Sequence, residues 1–243
     1  MTRHRLVTRT LVALAVPVLL AACSSGGGVA ALPTIPPPTP TPSDAIESAE
    51  PTHPGPTFPP DCPREQPEAM GADETATVTI ETDKGSFDIK VEGALSPIAA
   101  GNFVTLAECG YYDGVVFHRL VPGFVIQGGD GQFGRSPDVI PDLVGSGGPP
   151  YTIQDEPVTA KYGRGVVAMA RTSQPNSVGS QFFVVLDDAA EPALSQYNTY
   201  QIIGTVTEGM DVVDAIAAMP NSGPPSNAAV NPVPMTKVTV ATP

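Results

Sequence analysis

The chain has 243 residues, enough for one or two domains of the usual size of about 100–200 residues. Hydrophobic residues make up 41% of it, so most of the chain can bury a core. The formal net charge of −13 argues against a nucleic-acid role, because binding to phosphates requires a basic surface. Three Cys are too few for a small disulfide-rich scaffold.

The first residues have the composition of a secretion signal. Three arginines precede Leu11–Ala22, an uncharged apolar run that contains Pro17. The run is too short to cross the roughly 30 Å hydrocarbon core of a bilayer as a helix, but it suits the apolar core of a signal peptide. We therefore predict a signal peptide over residues 1–22.

The end of this run resembles the processing box of bacterial lipoproteins. Residues 20–23 read Leu-Ala-Ala-Cys, and small residues follow. The resemblance implies that Cys23 becomes the lipidated first residue of the mature protein, and two or more acyl chains would anchor it stably. This predicts a protein on the outer face of the bacterial cytoplasmic membrane. The alternative is an ordinary secretion signal in which Cys23 occurs by chance.

Residues 23–72 are rich in proline. Thirteen of the 29 prolines lie between residues 29 and 72, mixed with Thr, Ser, Glu and Ala. Such a segment buries too little apolar surface to offset its chain entropy. We predict a disordered tether over 23–72 that holds a folded domain away from the membrane. The alternative is a proline-rich ligand for an aromatic groove.

Residues 73–243 carry the patterns of a mainly β domain. Alternating runs on either side of Asp83-Lys84-Gly85 predict a hairpin. Ser96-Pro97, followed by apolar residues at helical spacing, predicts a helix that Gly110 ends, and Met210–Met219 predicts a second helix. The predicted strands lie at residues 75–80, 87–91, 115–117, 124–127, 166–170, 182–186, 201–206 and 238–240. This order favours a β-barrel or sandwich over parallel βαβ units.

Two segments carry the residues that could do chemistry. Residues 117–130 read FHRLVPGFVIQGGD, where Arg119 is costly to bury unpaired and Gln127 is a candidate to orient it. Residues 169–183 read MARTSQPNSVGSQFF and end in Gln181 and two aromatic residues. Together they supply apolar walls, one cation and amide groups. They contain no evident nucleophile, metal cluster or phosphate loop, so we expect no metal and no cofactor.

These segments resemble the signatures of the cyclophilin family of peptidyl-prolyl cis–trans isomerases. The likeness covers about residues 75–241 and includes YYDG at 111–114, GGPPYTIQDE at 147–156 and GSQFF at 179–183. The family implies a closed eight-stranded antiparallel β-barrel capped by two α-helices. It also implies an enzyme, or rotamase, that accelerates rotation about Xaa–Pro bonds in polypeptides, here proteins exported by the cell.

The resemblance also implies roles for individual residues. Arg119 matches the catalytic arginine, Phe124 matches a residue of the proline pocket, and Gln127 matches the glutamine that supports the arginine and the substrate backbone. The matching substrate-binding positions are Val125, Ala170, Arg171, Gln181, Phe183, Leu194 and Tyr200. The chain departs from the pattern because Val stands at 125 where Met is common, and Arg at 171 where Asn is common. Well-known members carry a Trp near the Leu194 position, and its absence counts against tight cyclosporin binding more than against catalysis.

The expected mechanism follows from amide chemistry. Conjugation of the nitrogen lone pair with the carbonyl gives a rotation barrier of ~18–20 kcal/mol. A guanidinium aimed at the prolyl nitrogen binds the twisted amide, whose lone pair is localised, more strongly than the planar amide. One alternative is that Arg119 is structural and pairs with Asp113 or Asp130. Another is that the domain is a cyclophilin-like peptide-binding or chaperone module with little turnover.

Three further residues allow predictions. Cys62 and Cys109 remain after lipidation of Cys23, and exported proteins often pair their thiols. We therefore predict a disulfide between them that joins the end of the tether to the first helix. His118, beside Arg119, is expected to be a packed and hydrogen-bonded histidine rather than a catalyst.

Overall fold

The computed structural model describes residues 58–242, so the predicted signal peptide, Cys23 and residues 23–57 of the predicted tether lie outside the described residues. Within that range the strands are β1 (Thr75–Thr82), β2 (Gly85–Glu92), β3 (Val116–Val121), β4 (Val125–Gly128), β5 (Val166–Met169), β6 (Phe182–Val185), β7 (Ile202–Glu208), β8 (Ala228–Pro234) and β9 (Lys237–Ala241). The helices are α1 (Pro97–Glu108), α2 (Glu191–Ser195) and α3 (Met210–Ala217), and a short 3₁₀ turn at Asp188–Ala190 precedes α2. None of the described helices is long and apolar enough to cross a membrane.

All nine strands belong to one antiparallel sheet with the order β8-β3-β4-β6-β5-β7-β2-β1-β9. The two strands at the ends of this order follow each other in the chain, separated only by Met235 and Thr236. The amide of Met235 donates to the carbonyl of Val115 at 2.9 Å, and the amide of Thr236 donates to that of Glu81 at 2.7 Å. Chain continuity therefore brings the two edges together and curls the sheet into a half-barrel rather than the closed barrel expected, because β8 and β9 share no ladder.

The mainly β, antiparallel architecture is confirmed, but its element counts differ from the eight strands and two helices that the resemblance implied. Each of the eight predicted strands overlaps an observed strand, and β8 is the additional one. Strand β8 was not predicted because it contains Pro232 and Pro234. Proline cannot donate a backbone hydrogen bond to a β-ladder, and it indicates a loop or a sheet edge. The additional helix, α2, has five residues and is too short to show helical periodicity.

Buried apolar residues form two clusters. The larger one joins the sheet to α1 and α3, with Phe103 and Leu106 from α1 and Val213 and Ile216 from α3. The smaller cluster consists of Val125, Tyr162, Ala168, Phe183, Val185, Ala190, Leu194 and Ile202. It contains three of the predicted site residues, so the core itself supplies the floor of the candidate site.

A distant carboxylate caps the N-terminus of α1. Ser96 occupies the predicted N-cap position, but its side chain makes no capping hydrogen bond. Instead, the two carboxylate oxygens of Glu156 accept hydrogen bonds from the amides of Ile98 and Ala99, both at 2.9 Å. Gln201 Nε2 also donates to Glu156 at 2.9 Å. The helix terminus is thus satisfied by a residue 58 positions away, a contact that local sequence cannot reveal.

The packed part of the chain begins before the predicted boundary at residue 73. The rings of Phe58 and Tyr111 lie 5.7 Å apart, and the amide of Met70 donates to the carbonyl of Pro97 at 2.9 Å. The prediction of a disordered tether is therefore corrected for residues 58–72. Their proline-rich composition predicted disorder, but their apolar side chains pack against α1 and the turn after it.

Cys62 and Cys109 form a disulfide, with Cα atoms 5.2 Å apart. This is the pairing predicted from the sequence. Cys109 is the C-cap of α1, so the bond attaches residues 58–72 to the end of that helix. The two cysteines are 47 positions apart, and the bond therefore closes a long loop in the unfolded chain.

Replacing Cys62 and Cys109 together by Ala should lower the free energy of unfolding by about 2–4 kcal/mol, because the unfolded chain gains the freedom that the disulfide removes. Urea denaturation of the oxidised wild type and the variant measures this difference. The reduced wild type is the control and should unfold at the midpoint of the variant. Equal midpoints for the oxidised wild type and the variant would contradict the prediction.

Candidate active site

A cavity of about 400 Å³ brings together nearly all the predicted site residues. It is lined by Arg119, Phe124, Val125, Gln127, Ala170, Arg171, Phe183, Ala193, Leu194, Gln196, Tyr197 and Tyr200. Gln181 is the one predicted position outside this lining, and it makes a hydrogen bond to Gln127 from the neighbouring strand. The residues come from five separate parts of the chain, and the curl of the sheet joins them.

Three side chains of the cavity lie in one row across three neighbouring strands. Arg119 on β3 is paired in register with Gln127 on β4, and Gln127 is paired with Phe183 on β6. Directly opposed residues of antiparallel strands project from the same face of a sheet. The register therefore places a cation, an amide and an aromatic ring side by side at the cavity.

The floor of the cavity is apolar and densely packed. Phe183, Val125 and Leu194 are buried, and the Phe183 ring meets the Tyr200 ring edge-on with centroids 5.4 Å apart. Tyr162 holds Tyr200 in place, since its hydroxyl donates to the Tyr200 carbonyl at 3.0 Å and accepts from the Tyr200 amide at 3.2 Å. A floor of this kind can accommodate an apolar ring.

The guanidinium of Arg119 has no hydrogen bond or ion pair with any residue between 58 and 242, and the side chain is half-buried. The two acids considered as structural partners are engaged elsewhere. Asp113 pairs with Lys237 at 2.7 Å and also accepts from the Val238 amide. Asp130 accepts only backbone N–H groups, as described below. The interpretation of Arg119 as the partner of either acid is therefore wrong.

Gln127 does not hold Arg119 through a hydrogen bond. Its Nε2 donates to Gln181 Oε1 at 3.0 Å, and Gln181 Nε2 donates to the carbonyls of Gly145 and Gly147, both at 2.9 Å. The expectation that Gln127 supports Arg119 is thus met only by position, as its neighbour across the strands. Its Oε1 remains available to a ligand in the cavity.

Arg171 differs from Arg119 because its charge is already matched. Its Nη1 lies 3.1 Å from Asp155 Oδ2, its Nε donates to the Thr172 carbonyl at 3.1 Å and its Nη2 to the Gln174 carbonyl at 2.7 Å. Only 10% of the side chain is exposed. Arg171 also lines a second cavity of about 490 Å³, whose lining includes Gln181. Its side chain therefore forms a wall between the two cavities.

His118 is buried, as expected, but it is not a hydrogen-bonded histidine at Nδ1. That atom has no partner within residues 58–242. Burial lowers the pKa of His118 from 6.5 to about 4, and the nearby charge of Arg119 adds to this lowering while Asp130 opposes it. The imidazole is therefore neutral at physiological pH and lies apart from the cavity lining.

One wall of the cavity was not predicted from the sequence. Ala193, Gln196 and Tyr197 belong to α2 and the turn after it, a region that lacks a clear periodic pattern. Tyr197 is 64% exposed, and an exposed large aromatic residue at a cavity rim is the signal that could have marked it. The described residues contain no group of three or more His, Cys, Asp or Glu arranged to hold a metal ion.

Comparisons with known proteins match most of the described chain to one family. The family model for cyclophilin-type peptidyl-prolyl cis-trans isomerases matches residues 77–240. A probable peptidyl-prolyl cis-trans isomerase of Brucella abortus (strain 2308) is 36% identical over 174 residues, which cover 71% of this chain and 86% of that protein. Peptidyl-prolyl cis-trans isomerase A of Dickeya dadantii (strain 3937) is 32% identical over 168 residues, covering 68% of this chain and 84% of that protein.

Solved structures show the same relationship. The crystal structure of a cyclophilin-type peptidyl-prolyl cis-trans isomerase of Cryptosporidium parvum has a TM-score of 0.57 and 28% identity, and the match covers 69% of this chain and 98% of that chain. A structure of that protein in the presence of the dipeptide Ala-Pro has a TM-score of 0.56 and also 28% identity, with 68% and 98% covered.

The pKa of His118 predicts a pH-dependent stability. Its pKa is about 4 in the folded protein and 6.5 as a free side chain, so below pH 6.5 the unfolded chain binds a proton that the folded chain does not. This group should therefore lower the free energy of unfolding by up to about 3 kcal/mol as the pH drops through 6.5 to 4, and its contribution should be constant only about one pH unit or more above 6.5. Urea denaturation across this range measures it, with His118→Leu as the variant that should lack this part of the slope. Parallel curves for the two proteins would contradict the assignment.

Proposed function

Because the chain belongs to the cyclophilin-type peptidyl-prolyl cis–trans isomerases, which catalyse rotation about Xaa–Pro bonds, we propose that Arg119 drives this reaction in a membrane-anchored enzyme that acts on exported proteins. Two parts of this proposal go beyond family membership. One is the role of each residue in the cavity, and the other is the place where the enzyme works.

The observation that carries the proposed mechanism is the position of Arg119. It lies at an apolar cavity with no acceptor for its guanidinium among the described residues. A half-buried cation without a protein partner keeps its hydrogen-bond donors free for a ligand. The prolyl nitrogen of a twisted amide is such a ligand, because its lone pair is localised only when conjugation is lost.

The remaining residues position the substrate for this interaction. The proline ring lies on Phe183, Val125 and Leu194, whose packing keeps that surface rigid. Gln127 presents Oε1 to an N–H of the substrate backbone, because its Nε2 is engaged by Gln181. With the ring held, the carbonyl before proline turns while Arg119 donates to the nitrogen. No covalent bond forms or breaks, and preferential binding of the twisted state lowers the barrier.

Replacing Arg119 by Ala should lower kcat/KM by at least about tenfold, because the donor to the twisted amide is lost. A protease-free isomerisation assay on an Xaa–Pro peptide measures this change. Arg119→Lys should retain part of the activity, since the charge remains without the planar fork of donors.

The matched control is Arg164→Ala, which removes the same charge from an exposed pair with Asp214. This variant should keep wild-type turnover. Near-full activity of Arg119→Ala, with an unchanged thermal midpoint, would overturn the proposed role of Arg119.

The proposed anchoring rests on the sequence before residue 58. The basic start, the apolar run and the Leu-Ala-Ala-Cys box end at Cys23, and a proline-rich stretch separates Cys23 from Phe58, where the described part begins. Lipidation of Cys23 would hold the enzyme at the outer face of the cytoplasmic membrane. Its substrates would then be exported polypeptides that contain proline.

Replacing Cys23 by Ser in the full chain should abolish incorporation of a labelled fatty acid and move the protein from the membrane fraction to the soluble fraction. Expression in a bacterium with a lipoprotein pathway, followed by fractionation, measures both. Ser25→Ala is the control and should remain lipidated. A soluble, unlabelled wild type would instead support the ordinary secretion signal.

A further inference from the structure

Asp130 is a fully buried carboxylate that the proposed mechanism does not use. Among the described residues it forms no ion pair. Four backbone N–H groups satisfy it instead. Its Oδ1 accepts from Gln132 at 3.0 Å and Phe133 at 2.9 Å, and its Oδ2 accepts from Gly145 at 2.7 Å and Gly147 at 2.9 Å. The carboxylate thus ties both ends of the 131–147 loop to one point.

Two glycines allow the loop to approach this carboxylate. A Cβ on Gly147 would lie 2.5 Å from Asp130 Oδ1, so no other residue could keep this contact without displacement. Gly145 has a φ of +96°, a left-handed conformation that L side chains rarely adopt. The loop can therefore contact Asp130 in this conformation only because glycine stands at both positions.

The carbonyls of the same two glycines face Gln181, which lies beside the candidate active site. Gln181 Nε2 donates to both carbonyls, of Gly145 and Gly147, so both of its amide hydrogens are engaged. Its Oε1 must then point the other way, where it accepts from Gln127 Nε2 at 3.0 Å. Gln127 in turn must present Oε1, an acceptor, to the cavity beside Arg119.

We propose that Asp130 is a positioning residue for the isomerase site: by holding Gly145 and Gly147 it fixes the amide orientation of Gln181 and, through it, the acceptor that Gln127 offers to substrate. This inference rests on the proposed function of Gln127 and deepens it. A buried acid outside the cavity thus decides whether the cavity presents an acceptor or a donor to the peptide backbone.

The test is Asp130→Asn, which keeps the shape of the side chain. An amide can accept at one oxygen only, so two of the four N–H groups lose their acceptor whichever way the amide is turned. The Gln181–Gln127 pair should then lose its single orientation. Since the substrate N–H bond to Gln127 is made in both the planar and twisted states, KM should rise by about tenfold while kcat changes by less than about twofold.

The matched control is Asp142→Asn, which removes the same charge from an exposed position in the same loop. It should leave KM and kcat unchanged. A merely structural role for Asp130 would lower the thermal midpoint and the active fraction, and hence the apparent kcat, without raising KM. An unchanged KM in folded Asp130→Asn would overturn the inference.

A double-mutant cycle with Gln181→Met tests whether Asp130 acts on KM through Gln181 or independently of it. If Asp130 acts through Gln181, Asp130→Asn should change KM by less than about twofold when Gln181 is already Met. A full second rise of KM in the double variant would overturn the inference.

Gly147→Ala covers the case in which Asp130→Asn does not fold. Its added methyl must displace the loop from the carboxylate while Asp130 remains, and KM should rise as it does for Asp130→Asn. An unchanged KM in this variant would count against the positioning role of Asp130. All variants are compared with wild type and with Arg119→Ala. If Arg119→Ala keeps its activity, the proposed mechanism fails. If Asp130→Asn alone leaves KM unchanged, only the positioning role of Asp130 fails.

Discussion

An unpartnered cation beside an apolar floor is the constraint on which the site depends. Arg119 has no hydrogen-bond acceptor among the described residues, while Phe183 and Val125 beside it are buried. Such an arrangement leaves the guanidinium donors free to bind a ligand that supplies an acceptor. The register of three strands sets the row of Arg119, Gln127 and Phe183. In the proposed mechanism, a twisted amide supplies the acceptor that the described residues do not.

The rest of the fold keeps that row in place. The corner at Met235 and Thr236 brings the two edges of the sheet together, so β3 is held between β4 and β8. Long-range contacts stabilise the parts that lack a regular ladder. Glu156 caps α1, and the Cys62–Cys109 disulfide attaches the segment before the domain to the end of that helix. These contacts hold the irregular parts of this small domain in one conformation.

The hydrogen bonds that the polar side of the cavity can make depend on the orientation of its amide side chains as well as on their positions. An amide side chain offers a donor on one side and an acceptor on the other, and the two ends differ little in shape. The loop carbonyls of Gly145 and Gly147 remove this ambiguity for Gln181, and Gln181 removes it for Gln127. The contrast between the two cavity arginines has a similar origin. Arg171 is neutralised by Asp155 and serves as a wall, whereas Arg119 keeps its donors for a ligand.

Sequence patterns alone predict eight of the strands and helices α1 and α3, and the family resemblance predicts every cavity-lining residue except Ala193, Gln196 and Tyr197. The strands and helices follow from local periodicity, and the resemblance rests on contiguous motifs such as FHRLVPGFVIQGGD. Tertiary structure alone decided the packing of residues 58–72, the pairing of β8, the capping of α1 by Glu156 and the engagement of Arg171 and Gln181. Each of these depends on a partner distant in sequence or on a side chain whose direction its neighbours impose. Periodicity reports which face of an element is buried, but it carries no information on which distant donor will meet which acceptor.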